Sequence, residues 1–144
     1  MAGTITGVLT RAKCQQGQVA KLVLTCTADA DAATFPAAVL NTLAMDGDGR
    51  SFDIRGLQAY SIKVIPGSPA PTDASDITVT DEYGIDLLGG KGTNLISNTN
   101  KTWALFGPSG YSVSALISGN TTITISNNAV KSAVITIVIE LIGV

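Results

Sequence analysis

Histidine is absent from the 144 residues, which removes the commonest general base and the commonest metal ligand. Charge is scarce as well: Asp, Glu, Lys and Arg together make up 14%, where an ordinary soluble domain carries about a quarter. The net charge is −2, so no basic field exists to hold a phosphate backbone, and nucleic acid is not expected as a partner. Long apolar runs are missing too. The most apolar segment, Ala133 to Val144, is 12 residues long and interrupted by Thr136 and Glu140, short of the ~20 a membrane helix needs. No membrane partner is expected, and Met1 to Ile5 lacks the charged start and apolar core of an export signal.

There are two cysteines, Cys14 and Cys26. A hairpin turning at Gln15-Gln16-Gly17 would put them roughly 30 Å apart at ~3.3 Å per residue, whereas a disulfide needs Cα atoms within about 7 Å. Two free thiols are therefore expected, with no dependence on an oxidising compartment.

What the chain does have is Thr, Ser, Val, Ile and Ala, the composition of sheet rather than of soluble helix. The most informative stretch is Pro71 to Gly90. Ile77 and Val79 alternate with Asp76, Thr78 and Thr80, the period-two pattern of a strand. Asp81-Glu82-Tyr83-Gly84 opens a turn on an acid and closes it on a glycine, Ile85 to Leu88 reads as a short strand, and Gly89-Gly90 breaks it.

Similar patterns mark Gly3 to Ala12, Val19 to Thr27, Ser51 to Arg55, Tyr60 to Ile65, Trp103 to Phe106, Tyr111 to Leu116, Thr121 to Ser126 and Ser132 to Ile142. The last has apolar residues on both faces and is expected in the middle of a sheet. Thr34 to Met45 could start a helix, with Thr34 as cap and Pro36 in the first turn, or run extended, since Phe35 precedes a proline. An extended segment followed by at most one helical turn is expected, because nothing else in the chain reads as helical. About nine strands separated by turn signals predict an all-β fold, an antiparallel β-sandwich of jelly-roll-like type with little or no helix. Residues 1–144 read as a single sandwich domain, with residues 1–13 as a strand or an extended N-terminal arm.

Catalytic signals fail one by one. The acid pairs Asp46 with Asp48, Asp73 with Asp76, and Asp81 with Glu82 all lie in turns, where an acid satisfies local N–H groups. Asp46 to Leu57 lacks the glycine and the terminal glutamate of a calcium loop. Lys91, beside Gly89-Gly90-Gly92-Thr93, lacks the upstream glycine of a phosphate loop, where Ile85 stands. No enzyme activity, metal or cofactor is expected. Arg11, Lys13 and Lys21 form a small basic cluster, while every acid except Glu140 lies between Asp29 and Asp86; this asymmetry either orients the molecule on a charged partner or reflects ordinary solvated loops. Trp103, Phe106 and Tyr111 flank the turn Gly107-Pro108-Ser109-Gly110. Such rings either fill a sandwich core or, when exposed, stack on sugars and anchor protein interfaces.

The blocks Leu24 to Ala30, Thr34 to Ala37, Val64 to Gly67 with Ala70 to Asp73, Asp76 to Gly90, and Thr121 to Ala133 resemble a group of small β-rich virion proteins of tailed bacteriophages, thought to decorate or cement the head. Leu40 to Arg55 stands as an insertion against that pattern. The resemblance implies a structural protein on the virion head surface, made in the host cytoplasm, that binds the major capsid protein in many copies, often as a homo-trimer. Candidate interface residues are Arg11, Lys13, Trp103, Phe106 and Tyr111, with contact surfaces expected along Met1 to Lys13, Gly67 to Asp76 and Lys91 to Thr102. The alternative is a glycan- or receptor-binding module of a phage tail or fibre, with Trp103 and Tyr111 in one groove.

Overall fold

The computed structural model describes residues 1–15, 17–40, 44–45, 50–51 and 54–143. Within them the chain is built from strands, with no α-helix: β1 (Thr4–Cys14), β2 (Gly17–Thr27), β3 (Ala38–Val39), β4 (Ala44–Met45), β5 (Arg50–Ser51), β6 (Gln58–Pro66), β7 (Asp76–Thr80), β8 (Thr102–Leu105), β9 (Ala115–Leu116), β10 (Thr122–Ser126) and β11 (Val134–Gly143). They form two sheets. The larger runs β5-β4-β1-β2-β11-β6-β8, with β9 also paired to β6; the smaller runs β3-β10-β7. Every pairing is antiparallel except the single β1–β4 contact, Gly7 to Met45. The expected β-sandwich thus takes an unequal form, eight strands against three.

Strict alternation decides which residues face inward. On β2, Ala20, Leu22, Leu24 and Cys26 are buried, and on β11 Ile135, Ile137, Ile139 and Leu141 are. They meet Ile77 and Val79 of β7 and Ile123 and Ile125 of β10 in one core. β11 lies between β2 and β6, the central position that its two apolar faces demand. The N-terminal segment is a paired strand, since β1 matches β2 from Thr4–Thr27 to Cys14–Gly17.

Three expectations need correcting. Tyr60 to Ile65 does not alternate cleanly: a bulge opposite Glu140 and Leu141 leaves both Ser61 and Ile62 buried. Ile85 to Leu88 is not a strand, because only Asp86 bridges to Thr80 before the chain turns continuously from Leu87 to Asn94. Tyr111 to Leu116 shrinks to two paired residues, Ala115 and Leu116. The segment before β3 is extended, as Phe35-Pro36 requires. The acids Asp46, Asp48 and Asp53 lie outside the described residues.

Candidate functional site

Around the smaller sheet, Asp73, Asp76, Asp81, Glu82 and Asp86 all accept hydrogen bonds from nearby segments of the chain. Asp81 Oδ1 accepts the N–H groups of Tyr83 and Ile85, each at 2.9 Å. Asp86 Oδ1 accepts from Val79 at 3.3 Å and Leu88 at 3.1 Å, and its Oδ2 from Gly90 at 2.9 Å. Asp76 Oδ1 accepts from Asn94 at 2.7 Å and its Oδ2 from the Asn127 side-chain amide at 2.5 Å, while Asp73 accepts from Asn98 at 3.1 Å. Glu82 accepts the Ser118 hydroxyl at 3.1 Å. Asp81 closes its own turn, and the other carboxylates tie a loop to a strand or to another loop, a task for which acids are favoured.

Lys91 is also a strut: its Nζ donates to the Tyr111 carbonyl at 2.6 Å. Among the described residues no group of three or more His, Cys, Asp or Glu could hold a metal ion. Burial pushes the Cys26 thiol up to about 12, which makes it a poor nucleophile at neutral pH.

What remains is the outer face of the larger sheet, the side away from the core. The ladder registers place side chains there in rows. One row crosses five strands: Val8, Val23, Val138, Lys63 and Trp103. The next runs Thr6, Thr25, Thr136 and Ile65, and another Thr10, Lys21 and Glu140. Val23, Val138 and Ile65 are half-buried by their neighbours, whereas Val8, Val19 and Tyr60 stand exposed. Threonine and valine supply the β-propensity of this face. Charge on this face is sparse and partly cancelled, since Lys63 Nζ pairs with Glu140 Oε1.

Two shallow grooves open on the same face. One, of about 560 Å³, is lined by Thr10, Val19, Lys21, Tyr60, Glu140 and Ile142. The other, of about 340 Å³, is lined by Lys63, Ile65, Lys101, Thr102 and Trp103. The Lys63–Glu140 pair contributes one residue to each groove. Tyr60 and Trp103 lie on adjacent strands, three residues apart in register and so roughly 10 Å from one another.

The five candidate interface residues scatter. Trp103 is 63% exposed and sits on the open face, so it is not a core ring. Phe106 is fully buried: it follows the last residue of β8 with the inward parity of Ala104, belongs to the core and cannot meet a partner. Tyr111 is 70% exposed but lies in the loop after β8 and lines neither groove, so it does not share a groove with Trp103. Arg11 and Lys13 are exposed near the end of β1, with the inward parity of Ile5, Gly7 and Leu9. Lys21 points to the opposite side, so the pleat divides the basic cluster of the sequence. Tyr60 is the residue the sequence reading missed: the bulge that turns it outward leaves no signature in composition or alternation.

No family model and no curated protein sequence matches the chain. Among solved structures, it is similar to a chain of the Cyanophage Pam1 capsid asymmetric unit at 13% identity and a TM-score of 0.40, covering 96% of this chain and 86% of that one. It is also similar to the CBM22-1 xylan-binding domain from Paenibacillus barcinonensis Xyn10C, at 14% identity and a TM-score of 0.37, covering 99% and 87%.

Proposed function

We propose that the chain is a non-catalytic structural protein of the virion head, a decoration protein that binds assembled capsid in many copies and holds neighbouring capsid subunits together. The observation that carries this reading is the open face: a broad array rich in valine and threonine, carrying Lys21 and the paired Lys63 and Glu140, with no second layer of strands over it among the described residues. Apolar area left in water by a small domain stabilises whatever contact covers it. A capsid supplies that contact repeatedly, and multiplicity turns weak single contacts into durable attachment. The acids engaged in turns and the missing histidine support a protein that does no chemistry. The resemblance of the Asp76 to Gly90 block to phage head proteins points the same way.

The test is binding to expanded capsid shells that lack this protein. The wild-type chain is expected to co-sediment with such shells at micromolar concentration. Val8→Asp, which places a charge on an exposed strand position of the open face, is expected to abolish co-sedimentation while leaving the melting temperature nearly unchanged. Absence of binding by the wild-type protein overturns the reading.

A second reading is favoured by Trp103 and Tyr60, two exposed rings on one face with a Lys–Glu pair between the grooves they line. Aromatic faces beside fixed donors and acceptors suit sugar rings. A glycan array with hits that quench Trp103 fluorescence would select this reading over capsid decoration.

A further inference from the structure

From Thr102 to Val130 the sequence holds no Asp, Glu, Lys or Arg. The fold uses the start of this stretch as one edge of the larger sheet. β8 and β9 both pair with β6, and neither has a strand on its other side among the described residues.

The register fixes which backbone groups look outward. Phe106 donates its N–H to the Tyr60 carbonyl at 3.0 Å, so Tyr60 and Phe106 occupy a hydrogen-bonding position of the β6–β8 pair. Such positions alternate along an antiparallel ladder, which makes Ile62–Ala104 and Val64–Thr102 hydrogen-bonding positions too. The N–H and C=O groups of Trp103 and Leu105 therefore point away from β6, and neither residue bonds another segment of the described chain through them. An open edge is ordinarily guarded by a charge, a proline or a bulge within the strand. β8 reads Thr-Trp-Ala-Leu and has none of these.

We propose that β8 pairs with β8 of a second copy, antiparallel about a two-fold axis at Ala104, so that the two larger sheets become one continuous sheet. This pairing sets Trp103 against the partner's Leu105 and Leu105 against the partner's Trp103, and each outward N–H meets an outward C=O. Ala104 then faces its own counterpart at the close position, where Cα atoms approach to about 4.5 Å and a small side chain fits best. Lys101 falls opposite the partner's Gly107, so the two lysines sit at opposite ends of the pair and do not repel at close range.

Charge selects a second copy as the occupant. An uncharged edge joins another uncharged edge without desolvating an ion, and a two-fold contact needs a surface complementary to itself. The inference goes beyond the capsid reading and does not depend on it, since it concerns the backbone edge of β8 rather than the Val8 side of the open face.

The experiment is sedimentation velocity on the full chain from micromolar to submillimolar concentration, with Trp103 emission recorded in parallel. A concentration-dependent dimer is expected, with emission moving to shorter wavelength as it forms. Leu105→Pro removes an outward donor that β6 does not use, and Trp103→Lys restores a guarding charge while keeping the backbone whole. Each is expected to weaken dimerisation roughly tenfold or more. Circular dichroism melts report whether each variant folds, and Trp103→Lys decides the matter if Leu105→Pro does not. A monomer at every concentration, a trimer, or a dimer indifferent to a folded variant overturns the proposal.

Discussion

The carboxylate of Asp86 accepts the backbone N–H of Gly90 at 2.9 Å while its other oxygen takes the N–H groups of Val79 and Leu88. One side chain thereby fastens the continuous turn after Asp86 to β7. Gly89 and Gly90, with φ of 60° and 83°, supply the left-handed backbone that the turn requires. Asp86→Ala strands three N–H groups, two of them part-buried, and is expected to cost about 2–4 kcal/mol. Chemical denaturation of the variant checks this; a loss below about 1 kcal/mol would mean that water replaces the carboxylate without penalty.

Cys26 titrates only near pH 12 in the folded protein because burial disfavours its thiolate. Its ordinary value is 9.0, so the unfolded chain loses this proton first. The stability attached to Cys26 is complete below pH 9 and declines as pH rises toward about 12. Native protein is expected to resist iodoacetamide at Cys26 at pH 8 and to react once unfolded. Cys26→Ala should flatten the alkaline part of the stability curve, which melts between pH 8 and 11 would reveal.

The Ser61 hydroxyl is buried at the β6 bulge and has no hydrogen-bond partner among the described residues. Removing an unpaired buried hydroxyl relieves a desolvation cost. Ser61→Ala is expected to leave the protein as stable as before or raise its stability by about 1 kcal/mol, measured by thermal melting. A clear loss would show that the hydroxyl finds a partner in solution.

Asp29 Oδ1 accepts the N–H groups of Ala32 and Asp31, both at 2.7 Å. These bonds hold its carboxyl below the ordinary value of 3.8. A depressed value in the folded state means stability that is present above the ordinary value and lost as pH falls through the folded one. Thermal melts are expected to separate wild type from Asp29→Asn above pH 4 and to converge in stronger acid.

Much of this architecture is local in origin and can be read from the sequence. Ala20, Leu22, Leu24 and Cys26 point inward because alternate residues of any strand do, and the double apolar character of Ser132 to Ile142 announces its central place. The turn at Asp81 to Gly84 is equally local. Ile85 to Leu88 misled because apolar residues there plug the core from a turn: Leu88 is buried without belonging to a strand. Periodicity over four residues does not distinguish those cases.

The amino-acid sequence by itself determined that this is a sheet protein, which face of β2 is dry, and that Asp81 serves a turn. Those properties follow from side-chain volume, alternation and hydrogen bonding within a few residues. The tertiary structure alone decided that Trp103 stands in water while Phe106 is buried, that Lys21 parts company with Arg11 and Lys13, and that Tyr60 joins the open face. The outcomes at Trp103 and Tyr60 depend on which strand lies alongside and at what register, and a partner as far along the chain as Lys63 is from Trp103 leaves no mark on the local pattern.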